Sequence, residues 1–171
     1  MRKINYTLMY ERVYAKRRLA KALLVLERVA VGAVVLTYLA SLVLAAIFDS
    51  LLAAAELAAV AAVPFLAVTL MRRWIGSKRP YEVYDLVALG IAPPREGGGD
   101  SFPSRHTASA FVIGTLLCLP SPAVGGAVLL LGVYIAAARV LLGYHFVRDV
   151  IWGAVSGTLA GAIGIAAIVL I

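Results

Sequence analysis

The chain has 171 residues, 63% of them hydrophobic and 15% charged, with a mean hydropathy of +0.95, which is far more apolar than an ordinary soluble domain. The net charge of +7 points to anionic headgroups or a phosphorylated substrate rather than nucleic acid. One cysteine and two histidines exclude an intrachain disulfide and argue against a structural zinc site.

Residues 1–28 are mixed in character. Tyr6, Tyr10 and Tyr14 recur at i, i+4 and share one helix face, and Arg17, Arg18 and Lys21 follow. The pattern predicts an amphipathic helix lying in the membrane interface. The basic stretch is too long and too broken for a cleavable signal peptide.

Five apolar segments come next, at 29–48, 51–70, 104–119, 123–142 and about 147–171. A helical crossing needs roughly 20 residues, so the third is short. Asp49 and Ser50 make a tight turn between the first two, and "PSPAVGG" turns the chain between the third and fourth. Residues 71–103 form a polar connection that includes Gly97, Gly98 and Gly99. The expectation is one domain over 1–171: an all-α polytopic bundle of five transmembrane spans plus an N-terminal amphipathic interfacial helix.

Five crossings place the N-terminus and the 71–103 and 139–149 connections on one side. All 16 lysines and arginines then fall there: Arg2, Lys3, Arg12, Lys16, Arg17, Arg18, Lys21 and Arg28 before the first span, the other eight in the connections. The positive-inside rule predicts that this side is cytoplasmic.

Three short stretches meet on the same side: "RRWIGSKRP" at 72–80, "PSRH" at 103–106 and "ARVLLGYHFVRD" at 138–149. Arg139 stands in an apolar run, where a guanidinium is costly unless it faces a polar cavity or a partner. His145 and Asp149 are at i, i+4, so the carboxylate can hold one ring nitrogen and leave the other as a nucleophile. His106 opens another span. Two histidines with several arginines suit phosphoryl transfer, because arginines clamp phosphate oxygens and stabilise the transition-state charge. One histidine attacks phosphorus and the other protonates the leaving oxygen. Charge neutralisation by arginine leaves no need for a metal, and no cofactor is expected.

The three stretches resemble the signatures of the type 2 phosphatidic acid phosphatase family, the PAP2 or lipid phosphate phosphatases, related to vanadium haloperoxidases. The family pattern is Lys-x6-Arg-Pro, Pro-Ser-Gly-His, then Ser-Arg-x5-His-x3-Asp. Here Arg72-x6-Arg79-Pro80 has arginine for lysine, Pro103-Ser104-Arg105-His106 has arginine for glycine, and Ala138-Arg139-x5-His145-x3-Asp149 has alanine for serine. The resemblance implies a PAP2-like core in which His145 forms a phosphohistidine, Asp149 orients it, and His106 is the general acid. It also implies that Arg72, Arg79, Arg139 and Ser104 hold the phosphate, while Arg105 adds a phosphate contact or reads a further anionic group. The membrane members usually have six spans, against five counted here.

The implied activity is metal-independent hydrolysis of a phosphate or diphosphate monoester of a polyprenol or glycerolipid at the bilayer. A phosphotransferase passing the phosphate to another acceptor and a non-catalytic lipid-binding membrane protein are the alternatives.

Overall fold

The computed structural model describes residues 5–89 and 100–170. The described residues form seven helices and no strand: α1 (Tyr6–Ala15), α2 (Arg17–Phe48), α3 (Leu51–Ile75), α4 (Pro80–Val83), α5 (Arg105–Leu117), α6 (Pro122–Leu141) and α7 (Val147–Leu170). Residues 90–99, with the three glycines of the polar connection, lie outside the described part.

Local chemistry sets the helix ends. Ser50 Oγ accepts from Ala53 N at 3.0 Å and starts α3, and Asn5 Oδ1 accepts from Leu8 N at 3.1 Å and starts α1, both ordinary N-caps. Pro122 occupies the first turn of α6, where its missing N–H costs nothing. Gly76 ends α3 in the left-handed region at φ +57°.

Four helices, α2, α3, α6 and α7, are long and apolar enough to cross a membrane. Their outward faces carry large apolar side chains such as Leu36, Phe48, Leu130 and Ile163. Water would not tolerate such a surface, whereas lipid tails match it. Two boundaries differ from the sequence expectation. The first apolar segment is only the C-terminal part of α2, which begins at Arg17 and has 32 residues, because arginine and lysine mark a membrane boundary without stopping a helix. The third, α5, has only 13 residues, roughly 20 Å at the helical rise.

Short as it is, α5 sits at the centre. It packs most extensively on α7 and α6, and also touches α3 and α2. Val112, Leu116 and Leu117 of α5 are at most 2% exposed and meet Val34, Ala61, Val128 and Ile135 from its neighbours. The α5–α7 approach depends on small residues on α7. A Cβ on Gly153 would lie 2.7 Å from Ser104 O, and one on Gly157 would strike Ala108 O. This close packing holds the N-terminus of α5 against the N-terminus of α7, and the candidate site is built there.

Candidate active site

The first turn of α5 carries Ser104 at its N-cap, then Arg105 and His106. Arg72 lies in the last turn of α3 and Arg79 at the start of α4. Arg139 is near the end of α6, and Asp149 is in the first turn of α7. His145 stands in the loop between α6 and α7. The fold thus gathers residues from all three motifs at one end of the bundle.

Backbone bonds tie the motifs together. Ser101 N donates to Ser77 O at 2.9 Å, and Ser104 N donates to Asp149 O at 2.9 Å. Phe102 N donates to Ser77 Oγ at 2.8 Å. Tyr81 N donates to Gly143 O at 3.3 Å, joining α4 to the His145 loop. Gly143 takes a positive φ of +75°, which a side chain would oppose. Within that loop, Tyr144 N and His145 N both donate to Arg139 O, at 2.9 and 3.3 Å.

His145 and Asp149 are both buried, at 1% and 0% exposure. His145 Nδ1 is 3.8 Å from Asp149 Oδ2, longer than a hydrogen bond, so closure of about an ångström separates the pair from its engaged form. Asp149 Oδ2 meanwhile accepts from Ser101 Oγ at 2.6 Å and Phe146 N at 2.9 Å. Burial pushes the His145 pKa down to about 4, with Asp149 opposing that shift and the nearby Arg139 and Arg79 adding to it. The imidazole is therefore neutral near pH 7 and its lone pair is available for attack.

The arginines converge around the histidines. Arg79, Arg105 and Arg139 each lie within electrostatic reach of Arg72, and His106 lies near Arg139, Arg105, His145 and Arg72. Arg72 is buried. Ser104 is fully buried, and its Oγ pairs with Thr107 Oγ1 at 3.0 Å without capping α5. The guanidinium of Arg105 lies 5.2 Å over the Phe65 ring. With His106 and Ser109, Arg105 lines a cavity of about 200 Å³ whose other walls are apolar, from Val31, Val34, Val35, Phe65, Ala110, Ile113 and Ile135. All eight site residues expected from sequence thus come together. Among the described residues, no three His, Cys, Asp or Glu side chains are grouped to hold a metal ion.

Three contributions were not foreseen from the sequence. Glu27 on α2, 3% exposed, pairs with Arg139 Nη2 at 2.7 Å. This acid is the partner that Arg139 required. Ser101 holds the Asp149 carboxylate. The tyrosine face of α1 covers the loops: Tyr6 and Tyr84 stack at 5.9 Å, Phe146 meets Tyr6 edge-on at 5.3 Å, and Tyr14 OH donates to Leu142 O at 3.0 Å. The i, i+4 tyrosines signalled such a face without revealing what it covers. Glu27 could have been noticed as an acid beside Arg28 within an apolar run, just before the first span.

The PAP2 superfamily pattern matches residues 34–169, which contain all three motifs. No curated protein matches the sequence. Two solved structures share the fold. LpxE from Aquifex aeolicus is 21% identical, with 94% of each chain covered and a TM-score of 0.66. A transmembrane PAP2-type phosphatidylglycerolphosphate phosphatase from Bacillus subtilis is 20% identical, covering 94% of this chain and 83% of its own, with a TM-score of 0.70.

Proposed function

Because the chain belongs to the PAP2 superfamily, we propose that it is an integral membrane phosphatase that hydrolyses a polyprenyl or glycerolipid phosphate or diphosphate through a phosphohistidine. The observation that carries a lipid substrate is the shared wall: His106 and Arg105 belong at once to the phosphate cluster and to an apolar cavity between α2, α3, α5 and α6. A leaving alcohol with a hydrocarbon chain fits that juxtaposition, and a small water-soluble ester would leave the apolar walls unused.

In the proposed reaction, Arg72, Arg79 and Arg139 receive the phosphate oxygens, with Arg105 on the side of the leaving group. Bidentate guanidinium contacts both bind the dianion and stabilise the transition state. The α5 amides contribute as well, because Ser104 leaves them without a side-chain cap and a helix N-terminus favours an anion. The neutral His145 attacks phosphorus through Nε2 while Nδ1–H turns to Asp149. The P–O bond breaks, and His106, which enters the step as the imidazolium beside the bound dianion, supplies the proton to the departing oxygen. His106 then takes a proton from water as the hydroxyl attacks phosphorus, and the P–N bond breaks with its electron pair returning to His145. Inorganic phosphate leaves and His145 returns to its neutral state.

We also place α5 as a fifth crossing of the bundle, with α1 at the interface on the side of the motifs. That side carries the N-terminal basic cluster and so is assigned to the cytoplasm.

The test is release of inorganic phosphate by the purified protein in detergent from a panel of polyprenyl and glycerolipid phosphates, with and without EDTA. Release that EDTA leaves unchanged is expected, together with inhibition by vanadate. Strong inhibition by EDTA that magnesium reverses would overturn the mechanism, and no release from any lipid would overturn the function.

A further inference from the structure

Glu27 belongs to none of the three motifs and is remote in sequence from its partner. It is nevertheless buried in the bundle, with Oε1 2.7 Å from Arg139 Nη2. The same guanidinium lies 5.1 Å over the Tyr144 ring. Arg139 Nε is buried and has no hydrogen-bond partner among the described residues. A carboxylate in ion-pair contact at one corner, its Oε1 not aligned as a hydrogen-bond acceptor, and a ring against the face together restrict where this group can lie. The protein thus restrains one end of the fork and leaves Nε–H unspent, on a guanidinium within electrostatic reach of both histidines.

We propose that Glu27 is a positioning residue, which locks Arg139 so that its remaining donors meet the phosphoryl oxygens in the transition state. The proposal rests on the phosphatase reading above. Its logic is electrostatic as well as geometric. A carboxylate this close to the site repels a phosphate dianion, so it weakens ground-state binding. Its benefit therefore lies where geometry is strictest, in the five-coordinate state, since a guanidinium already oriented needs no reorganisation there. Flexible arginines lose rotamer freedom on binding an anion, and the Glu27 contact removes that freedom beforehand.

The experiment measures binding of vanadate, a transition-state mimic, and of inorganic phosphate to the purified protein in detergent. Wild type is compared with Glu27→Gln, Arg139→Ala and the double variant. Glu27→Gln is expected to weaken vanadate by roughly tenfold or more while phosphate changes by less than about threefold. In the Arg139→Ala background the same substitution is expected not to weaken vanadate, and to tighten it, because the positioning effect has nothing left to act on and only the repulsion of the carboxylate is removed. A merely structural role would be additive in that cycle and would overturn the proposal. So would vanadate affinity within about twofold of wild type in Glu27→Gln. Should Glu27→Gln not survive extraction, Glu27→Asp, with the same charge and a shorter reach, takes its place. It is expected to show a loss of about threefold or more, and an unchanged affinity would overturn the proposal. Wild type that neither binds vanadate nor releases phosphate removes the phosphatase reading and this inference together. Wild type that binds tightly beside an equally tight Glu27→Gln removes only the role of Glu27.

Discussion

Ser101 Oγ donates a 2.6 Å hydrogen bond to Asp149 Oδ2, the oxygen that lies 3.8 Å from His145 Nδ1. The serine holds the carboxylate that, in the proposed mechanism, orients the nucleophile. Both side chains are buried, and hydrogen bonds to a buried charged group contribute about 1.5–3 kcal/mol. Ser101→Ala is expected to lower turnover by roughly ten- to a hundredfold, and Asp149→Asn by more, since the amide favours the wrong tautomer. Steady-state rates on the best lipid phosphate check both. Wild-type rates in Ser101→Ala would show that the Phe146 N–H alone orients the carboxylate.

His145→Ala is expected to abolish turnover while the protein still extracts as a folded species. No other side chain in the cluster combines a neutral ring nitrogen with the loop position that Arg139 O anchors. Rapid quench of wild type into alkaline denaturant during turnover should trap labelled phosphate on the protein, stable to base and labile to acid, and His145→Ala should trap none. Activity above roughly a tenth of wild type in His145→Ala would remove the covalent mechanism.

The state of His145 sets a pH dependence. Burial lowers its pKa to about 4, against about 6.5 in an unfolded chain. Between those values the unfolded state binds the additional proton, so folded stability declines as pH falls through 6.5 toward 4 and is fully present above 6.5. In a His106→Gln background, nitrogen spectra of the remaining labelled imidazole should stay neutral from pH 8 to about 5. A midpoint at or above 6.5 would contradict the buried, neutral nucleophile.

How much of this was legible in the sequence depends on whether the information is local. The motif spacings place a histidine, an aspartate and arginines at helix ends, and the fold gathers them because those ends share one side of the bundle. The short apolar run at 104–119 also announced a short helix. Glu27 and Ser101 were not assigned roles, because each acts across a packing contact between segments distant in the chain. The start of α2 was missed for a different reason. Hydropathy reports where a helix meets lipid, and α2 continues as a helix into the polar region through Arg17.

Packing between α5 and α7 sets the position of the site, so a methyl group there should be felt. At Gly157 an added Cβ would strike Ala108 O and lie 3.0 Å from Phe111 Cβ. Gly157→Ala is expected to destabilise the protein by about 1–3 kcal/mol through overpacking, read as a lowered thermal midpoint in detergent. Gly126, also helical, has nothing within 4 Å of its ideal Cβ. Gly126→Ala is therefore expected to leave the midpoint unchanged or raise it, through the alanine advantage of about 0.5–1 kcal/mol. Equal midpoints for the two variants would show that the helices can separate at no cost.

The final prediction concerns which leaflet the site faces. α1 packs its Tyr10, fully buried, against α4 and Leu86, and Tyr14 bonds the His145 loop, so the N-terminal segment lies on the side of the motifs. An additional crossing by 8–28 would carry Glu11, Arg12, Lys16, Arg17, Arg18 and Lys21 into the bilayer, at about 2.5–3.5 kcal/mol for each central charge. With that crossing excluded, the basic cluster and the site share the side that the positive-inside rule assigns to the cytoplasm. Lys78 and Asp49 are both exposed and lie at opposite ends of α3, one after Arg72 and the other before Leu51. Single cysteines are placed at each, as Lys78→Cys and Asp49→Cys, in a Cys118→Ala background. In intact cells a membrane-impermeant maleimide should label Asp49→Cys and spare Lys78→Cys until the cells are lysed. The reverse pattern would place hydrolysis at the outer leaflet. It would also mean that the basic residues are there for phosphate and headgroup binding rather than for topology.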